Sequence, residues 1–382
     1  MRLFLSLFFL IGVGLNTPTL GQTFIDKFTS IFEFELHRKN RDTSHYVTKL
    51  VLAPTISYEP ATSLGFGVGS KFLFKPPNAT TDTRTSNIPI SVQYTLKNQI
   101  IFNSSYTVFL PQERWLLKGN LGFSKFPITF FGVGNNTQSS DQIEISYHNL
   151  LLEPLLLRKL KKNFFVGAGI RYRRSYNVKI ARPEDASQGL RSAIASTSVG
   201  AEFALNWDSR NNVLNATEGN FLEAKHGFYE KILGGSVAFM LSELDYRKYT
   251  QLRQSERDIL AYQLYARTVW GEVSLLELSA LGGAELLRGF PEARFIDRAA
   301  YFTQVEYRWQ TFRRIGMVFY AGTGTVRARG EPLSINTLKY SLGTGIRLKI
   351  VESENLNIRL DYALGFANQR TSNFYLGIAE AF

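Results

Sequence analysis

Along most of the chain, polarity switches at every second residue. Phe164, Val166, Ala168, Ile170 and Tyr172 share one parity, against Gly167, Gly169, Arg171 and Arg173 on the other. Phe66, Val68, Phe72 and Phe74 alternate in the same way with Gly65, Gly67, Gly69 and Lys71. The pattern is cleanest near the end, where Tyr340, Leu342, Ile346 and Leu348 oppose Lys339, Ser341, Arg347 and Lys349. There, too, Leu356, Ile358, Leu360 and Tyr362 oppose Asn357, Arg359 and Asp361. A period of two puts each set on one face of a β-strand. About sixteen such segments run from Val47 to Phe382, and most exceed the roughly 5–6 residues usual in globular strands. The face opposite the apolar one mixes Arg, Lys, Asp and Glu with Gly, which suits a crowded polar lumen. The prediction is all-β: a transmembrane antiparallel β-barrel over residues 47–382, apolar side chains toward lipid, polar ones inside.

Four stretches break the alternation: 23–46, 126–142, 177–191 and a long one at about 271–299. A loop as long as the last is commonly functional. The start, from Met1 and Arg2 through the apolar run to Leu15, has the order of a secretory signal peptide, with cleavage expected after Gly21. Residues 22–46 are then a short periplasmic N-terminal segment, with no room for even a small α/β module before the barrel. Hydrophobic residues make up 44%, yet beyond the N-terminus no run approaches the ~18 apolar residues of a membrane helix. The high aromatic content of 14% suits strands that expose one apolar residue in two. Cysteine is absent, so a lipoprotein anchor and thiolate chemistry are excluded.

The net charge is +12, but Lys and Arg are scattered through strand patterns instead of gathered in a tail or helix. Nucleic acid is therefore not the expected partner. Catalysis finds no constellation either. His37 and His45 precede the barrel, His148 and His226 fall on predicted strands, and none has a nucleophile setting or metal-ligand spacing. Asp208-Ser209-Arg210 reads as a strand-end turn. No enzyme activity, cofactor or metal is expected.

The long break reads Leu281-Gly-Gly-Ala-Glu-Leu-Leu-Arg288-Gly289-Phe290-Pro-Glu-Ala-Arg-Phe295, and Thr303-Gln-Val-Glu306-Tyr-Arg308-Trp309 follows. This resembles the Omp85 superfamily of outer-membrane assembly and secretion barrels (the bacterial surface antigen type). There, a loop after the eleventh strand carries Arg-Gly-Phe/Tyr, and a Glu-Tyr-Arg strand comes next. Asp208 to Gly219, with Arg210 between them, resembles the family's Asp-x-Arg-Asp-Asn hairpin without its proline. The stretch from Tyr340 to Phe382 resembles its closing strands.

The resemblance implies that the loop folds into the lumen, with Arg288 against Glu306 and Arg308 on the inner wall. It also implies that Phe382 serves as a C-terminal assembly signal and that the site is the bacterial outer membrane. Expected partners are outer-membrane lipid and lipopolysaccharide, with client outer-membrane proteins or other envelope proteins. The family's Phe-x-Asp-x-Gly strand reads Phe319-Tyr-Ala-Gly-Thr-Gly324 here, and the missing Asp, placed at Ala321, leaves Glu306 as the main partner. The family's usual periplasmic POTRA modules are absent from the sequence. The function so implied is outer-membrane protein assembly, insertion or translocation. A passive pore with a basic lumen, or a structural subunit that recruits partners, are the other readings. Parity further predicts that an arginine at Leu360 harms folding far more than one at lumen-facing Asp361.

Overall fold

The computed structural model describes residues 33–36, 48–59, 63–77, 79, 83–96, 98–138, 140, 142–181, 184–253, 255–352 and 355–382. The expected signal peptide, most of segment 22–46, His37 and His45 lie outside these residues.

Strands take up most of the described chain. In order they are β1 (Glu33–Leu36), β2 (Thr48–Glu59), β3 (Ser63–Phe74), β4 (Ser86–Thr95), β5 (Ile100–Phe109) and β6 (Trp115–Phe130). Next come β7 (Ile143–Lys161), β8 (Phe164–Ile180), helix α1 (Glu184–Ile194), β9 (Ser196–Asp208) and β10 (Gly219–Tyr229). Then follow β11 (Phe239–Arg253), β12 (Ser255–Gly271), β13 (Ser279–Leu281) and β14 (Phe295–Asp297). The last five are β15 (Ala299–Trp309), β16 (Ile315–Arg327), β17 (Lys339–Val351), β18 (Leu356–Phe366) and β19 (Arg370–Ile378).

One 17-stranded antiparallel sheet holds all of these strands except β13 and β14. Setting aside the short β1, which lies along β2 with Glu33 opposite Val51, sixteen long strands remain. Successive long strands form antiparallel ladders from β2 round to β19. The order then passes from β19 to β2, so the first and last long strands adjoin at a seam. Among the described residues this seam is the thinnest junction between neighbouring long strands.

The two faces divide as lipid and lumen require. On β15, Ala300, Phe302, Gln304, Glu306 and Arg308 are buried, while Val305 and Trp309 are exposed. On β18, Asn357, Arg359, Asp361 and Ala363 are buried, and Leu360 and Tyr362 face out. Trp115, Trp207 and Trp309 lie exposed at strand ends on one rim, the position of an interfacial aromatic girdle. That rim carries the short turns; the opposite rim carries the long loops and is the extracellular one by the usual rule for such barrels.

Two segments read as loops are ordered elements in part, while 131–138 stays outside any strand or helix. β6 continues to Phe130, paired with Ile143, because Ile128 and Phe130 find an apolar cluster with Ile145, Tyr147 and Ile180. Within 177–191, the chain forms α1. Its sequence signals were Pro183, the acidic pair Glu184 and Asp185, and Arg191 near the end. Leu190 and Ile194 anchor it on the same cluster.

Candidate functional site

The loop between Gly271 and Ala299 folds inward. β13 and β14 pair at its neck, Ser279 opposite Asp297 and Leu281 opposite Phe295. Leu281, Leu287, Phe290 and Phe295 bury against Ala300 and Phe302 of β15 and Val326 of β16. Burying apolar side chains of this size is worth ~1.5–3 kcal/mol each, and it places the intervening Arg288 deep in the lumen.

Arg288 is 1% exposed, so its charge depends wholly on protein partners. Its guanidinium donates to Asp361 Oδ2 at 3.0 Å, to Gln304 Oε1 at 3.0 Å and to Glu306. The Tyr320 ring lies beneath it, 3.5 Å from centroid to the guanidinium carbon. Glu306 is further held by Arg308 at 2.9 Å, and Asp361 by Arg347 and Arg359. The motif glycine is a requirement of the same fit. Gly289 has φ +103°, and a Cβ there would meet the β18 backbone at Gly365 and Leu364 within 2.6 Å.

Two expectations are corrected here. Ala321 lies on the outward parity of β16; its inward neighbour Tyr320 is what faces the loop, and it offers a ring instead of a carboxylate. Asp361, from β18, supplies the second carboxylate, so Glu306 does not act alone. For that reason Asp361 is no neutral site for an added arginine, since Arg288, Arg347 and Arg359 already surround it.

A second anchor of opposite sign holds the start of the loop. Glu277, 1% exposed, lies 3.0 Å from Arg171, 3.8 Å from Arg173 and 3.9 Å from Arg267. Arg267 also donates to the Glu277 carbonyl at 2.9 Å. The signal for this site was the inward parity of Arg171 and Arg173 on β8 and of Arg267 on β12, which calls for a carboxylate opposite. Glu277→Gln leaves these guanidiniums without their shared anion, and breaking such a buried cluster costs about 3–5 kcal/mol. The variant is expected to unfold at clearly lower denaturant concentration; an unchanged midpoint would remove this anchor from the account.

At the other rim, Asp208 and Arg210 form a two-armed pair, both contacts 2.8 Å. Arg84, in the turn before β4, joins it at 3.5 Å from Asp208 and reaches Glu113 at 3.0 Å. Burial alone would push the Glu113 carboxyl up, but the Arg84 hydrogen bonds and charge outweigh it and hold it below the usual carboxylate range. Gly219 closes the hairpin with φ +102°, where a Cβ would strike the Ser209 carbonyl at 2.4 Å.

The turn so shaped crosses the mouth of the barrel. Val213 packs with Phe109, Leu116, Leu155 and Phe165, and Leu214 with Val51, Leu73, Val351 and Leu356. Ala216 meets Tyr249, Ala261 and Phe382, and Asn215 donates to the Asn355 carbonyl at 3.0 Å. Phe382 itself lies beyond the end of β19, tucked into the lumen with Ala381. Loop above and hairpin below thus bound a polar chamber of about 500 Å³, lined by Lys71, Lys118, Glu223, Lys225, Asp245 and Arg247 among others.

With the loop, its buried arginine and the inner-wall carboxylates in place, the comparison with known families adds the decisive observation. The Omp85 superfamily domain matches residues 84–382. The chain belongs to the Omp85 superfamily. Solved structures of similar fold include BamA from Haemophilus ducreyi lacking POTRA domains 1–3. It shares 12% identity at a TM-score of 0.55, over 94% of this chain and 77% of that one. CdiB from Escherichia coli gives 11% identity and a TM-score of 0.59, over 87% of this chain and 62% of that one. CdiB from Acinetobacter baumannii gives 10% and 0.53, over 92% and 66%. At such identities the likeness is one of fold. No curated protein matches the chain.

This Omp85 protein is an outer-membrane β-barrel, and none of its described helices is long and apolar enough to cross a membrane. Its remaining chemical candidates sit in plain surroundings. His148 lies between Phe123 and Tyr176 in edge-on contacts, and His226 shares a 2.6 Å hydrogen bond with Ser242. Ser209 donates to the Asn220 carbonyl and accepts from the Asn220 amide, which closes the Asp208 turn. Among the described residues, no group of three or more His, Asp or Glu is placed to hold a metal.

Proposed function

We propose that this Omp85 barrel assembles or passes other envelope proteins at the outer membrane, and that it works at the β2–β19 seam with the lumen held shut. The observation that carries this reading is the Arg288 clasp, which keeps a long loop inside the barrel. A passive pore gains nothing from such an arrangement, because the loop and the Val213–Thr217 hairpin obstruct both mouths. The seam supplies the working surface. An unpaired strand edge in lipid costs several kcal/mol per unsatisfied group, so a loosened edge strongly favours pairing with an incoming strand. Partners under this reading are unfolded outer-membrane barrels, other envelope proteins, and the surrounding lipid and lipopolysaccharide.

The test is reconstitution. Vesicles containing the protein and vesicles without it are offered an unfolded outer-membrane β-barrel, and its folding is followed by heat-modifiable migration. Folding at least about tenfold faster with the protein is expected if the seam templates strands; equal rates would remove the assembly reading. Single-channel recording separates the passive pore. The wild-type barrel is expected to show no sustained open level, and a steady large conductance would favour the pore instead.

A further inference from the structure

The loop motif touches more than the wall that holds Arg288. Thr371, Asn373 and Tyr375 occupy alternate positions of β19 and so share one face. All three bind the motif's backbone. Thr371 Oγ1 donates to the Gly289 carbonyl at 2.7 Å, and Asn373 Nδ2 donates to the same oxygen at 3.1 Å. The Tyr375 hydroxyl accepts from the Gly289 amide at 2.9 Å and donates to the Phe290 carbonyl at 3.1 Å. Phe290 lies against Gly365 of β18 so closely that a Cβ there would come within 2.8 Å of the ring.

The residues after β19 join the same network. Glu380 pairs with Arg347 at 2.6 Å and accepts from Asn357 at 2.7 Å, and Arg347 in turn holds Asp361. Arg308 holds Glu306 at 2.9 Å and donates to the Phe382 carbonyl oxygen at 2.9 Å. Each carboxylate that binds Arg288 is therefore linked through one arginine to the segment following the last strand.

β19 is one side of the seam. Its ladder with β18 spans the whole strand, whereas its junction with β2 is thin. A strand secured on one edge needs restraint from a face, and here the loop provides it. We infer that the Arg288-Gly289-Phe290 segment is a brace on β19, with Thr371, Asn373 and Tyr375 as the positioning residues that connect loop docking to the seam. Undocking the loop then unseats the last strand. The regulatory meaning of this, a seam opened from the lumen, rests on the assembly reading; the brace itself does not.

Hydrogen exchange on the folded full-length barrel in micelles tests the brace. Tyr375→Phe removes the hydroxyl and keeps the ring. It is expected to speed exchange of the 370–378 amides about tenfold while β7 and β8 stay unchanged. Thr371→Val should act in the same direction, and Arg288→Ala should also speed β19, with Tyr375→Phe adding little in that background. Faster exchange confined to the loop, with β19 unchanged in both Tyr375→Phe and Arg288→Ala, would overturn the inference. The vesicle folding assay on Tyr375→Phe separates the two claims. Faster β19 exchange without any change in client folding would uphold the brace and count against the seam as the working surface.

Discussion

Arg288→Ala is expected to release the lumen loop while leaving the barrel inserted. The substitution removes contacts to Glu306, Asp361 and Gln304 and the stacking on Tyr320. Removing one partner of a buried ion cluster costs about 3–5 kcal/mol, and at ~1.4 kcal/mol per decade that is a rise in the undocked population of roughly a hundredfold to several thousandfold. Arg308, Arg347 and Arg359 remain beside the two carboxylates, so the wall is not left with uncompensated negative charge. The damage therefore falls on the loop. Limited proteolysis of the folded protein should show new cleavage within 282–294, with heat-modifiable migration retained. Arg288→Lys keeps the charge but cannot bridge two carboxylates and an amide oxygen with one planar group, so it should fall between. Glu306→Ala should resemble Arg288→Ala, and the double variant should be little worse than either, as direct contact requires. Additive effects would mean that the two residues act separately.

Leu360→Arg is expected to lower the folded yield more than any single lumen substitution outside the charge clusters. Leu360 lies half-buried on the outward parity at the middle of β18, with Ile346 and Leu376 opposite on its neighbours. An arginine facing lipid near the bilayer centre costs ~2–4 kcal/mol. Thr107 lines the polar chamber and is the suitable comparison. Thr107→Arg places its charge in a wet, polar space, where substitution alters selectivity more than folding, and its yield should stay within about twofold of wild type. Equal losses for the two variants, in refolding into lipid vesicles, would contradict the assignment of faces.

What the sequence made legible follows from what lipid imposes. A spanning strand has no freedom to break its period of two, so the parity of Glu306, Arg308, Leu360 and Asp361 could be read directly, and so could a strand count near sixteen. The loop motif was legible because Arg-Gly-Phe stands out in a stretch without alternation. Partnerships across the lumen were not. Asp361 lies 73 positions from Arg288 along the chain, and Glu277 lies 106 from Arg171. Only the curling of the sheet and the depth of the loop bring such groups together. The cap over the second mouth was hidden for a different reason. Val213, Leu214 and Ala216 look like ordinary turn residues until the walls they touch are known. Helix α1 was missed because, among its described side chains, only Leu190 and Ile194 bury apolar surface in the cluster beneath it.

The absence of cysteine permits one direct test of the docked loop. Leu287, beside Arg288, is fully buried, while Ile335, in a loop on the same rim, is 80% exposed. Leu287→Cys and Ile335→Cys would each carry a single thiol, and the folded barrels in micelles would be exposed to a bulky water-soluble maleimide. Labelling at 287 is expected to be at least about a hundredfold slower than at 335, because it must await loop opening, and to approach the rate at 335 once Arg288→Ala is added. Equally fast labelling at both positions in the otherwise unaltered protein would show a loop in solvent and contradict the lumen clasp.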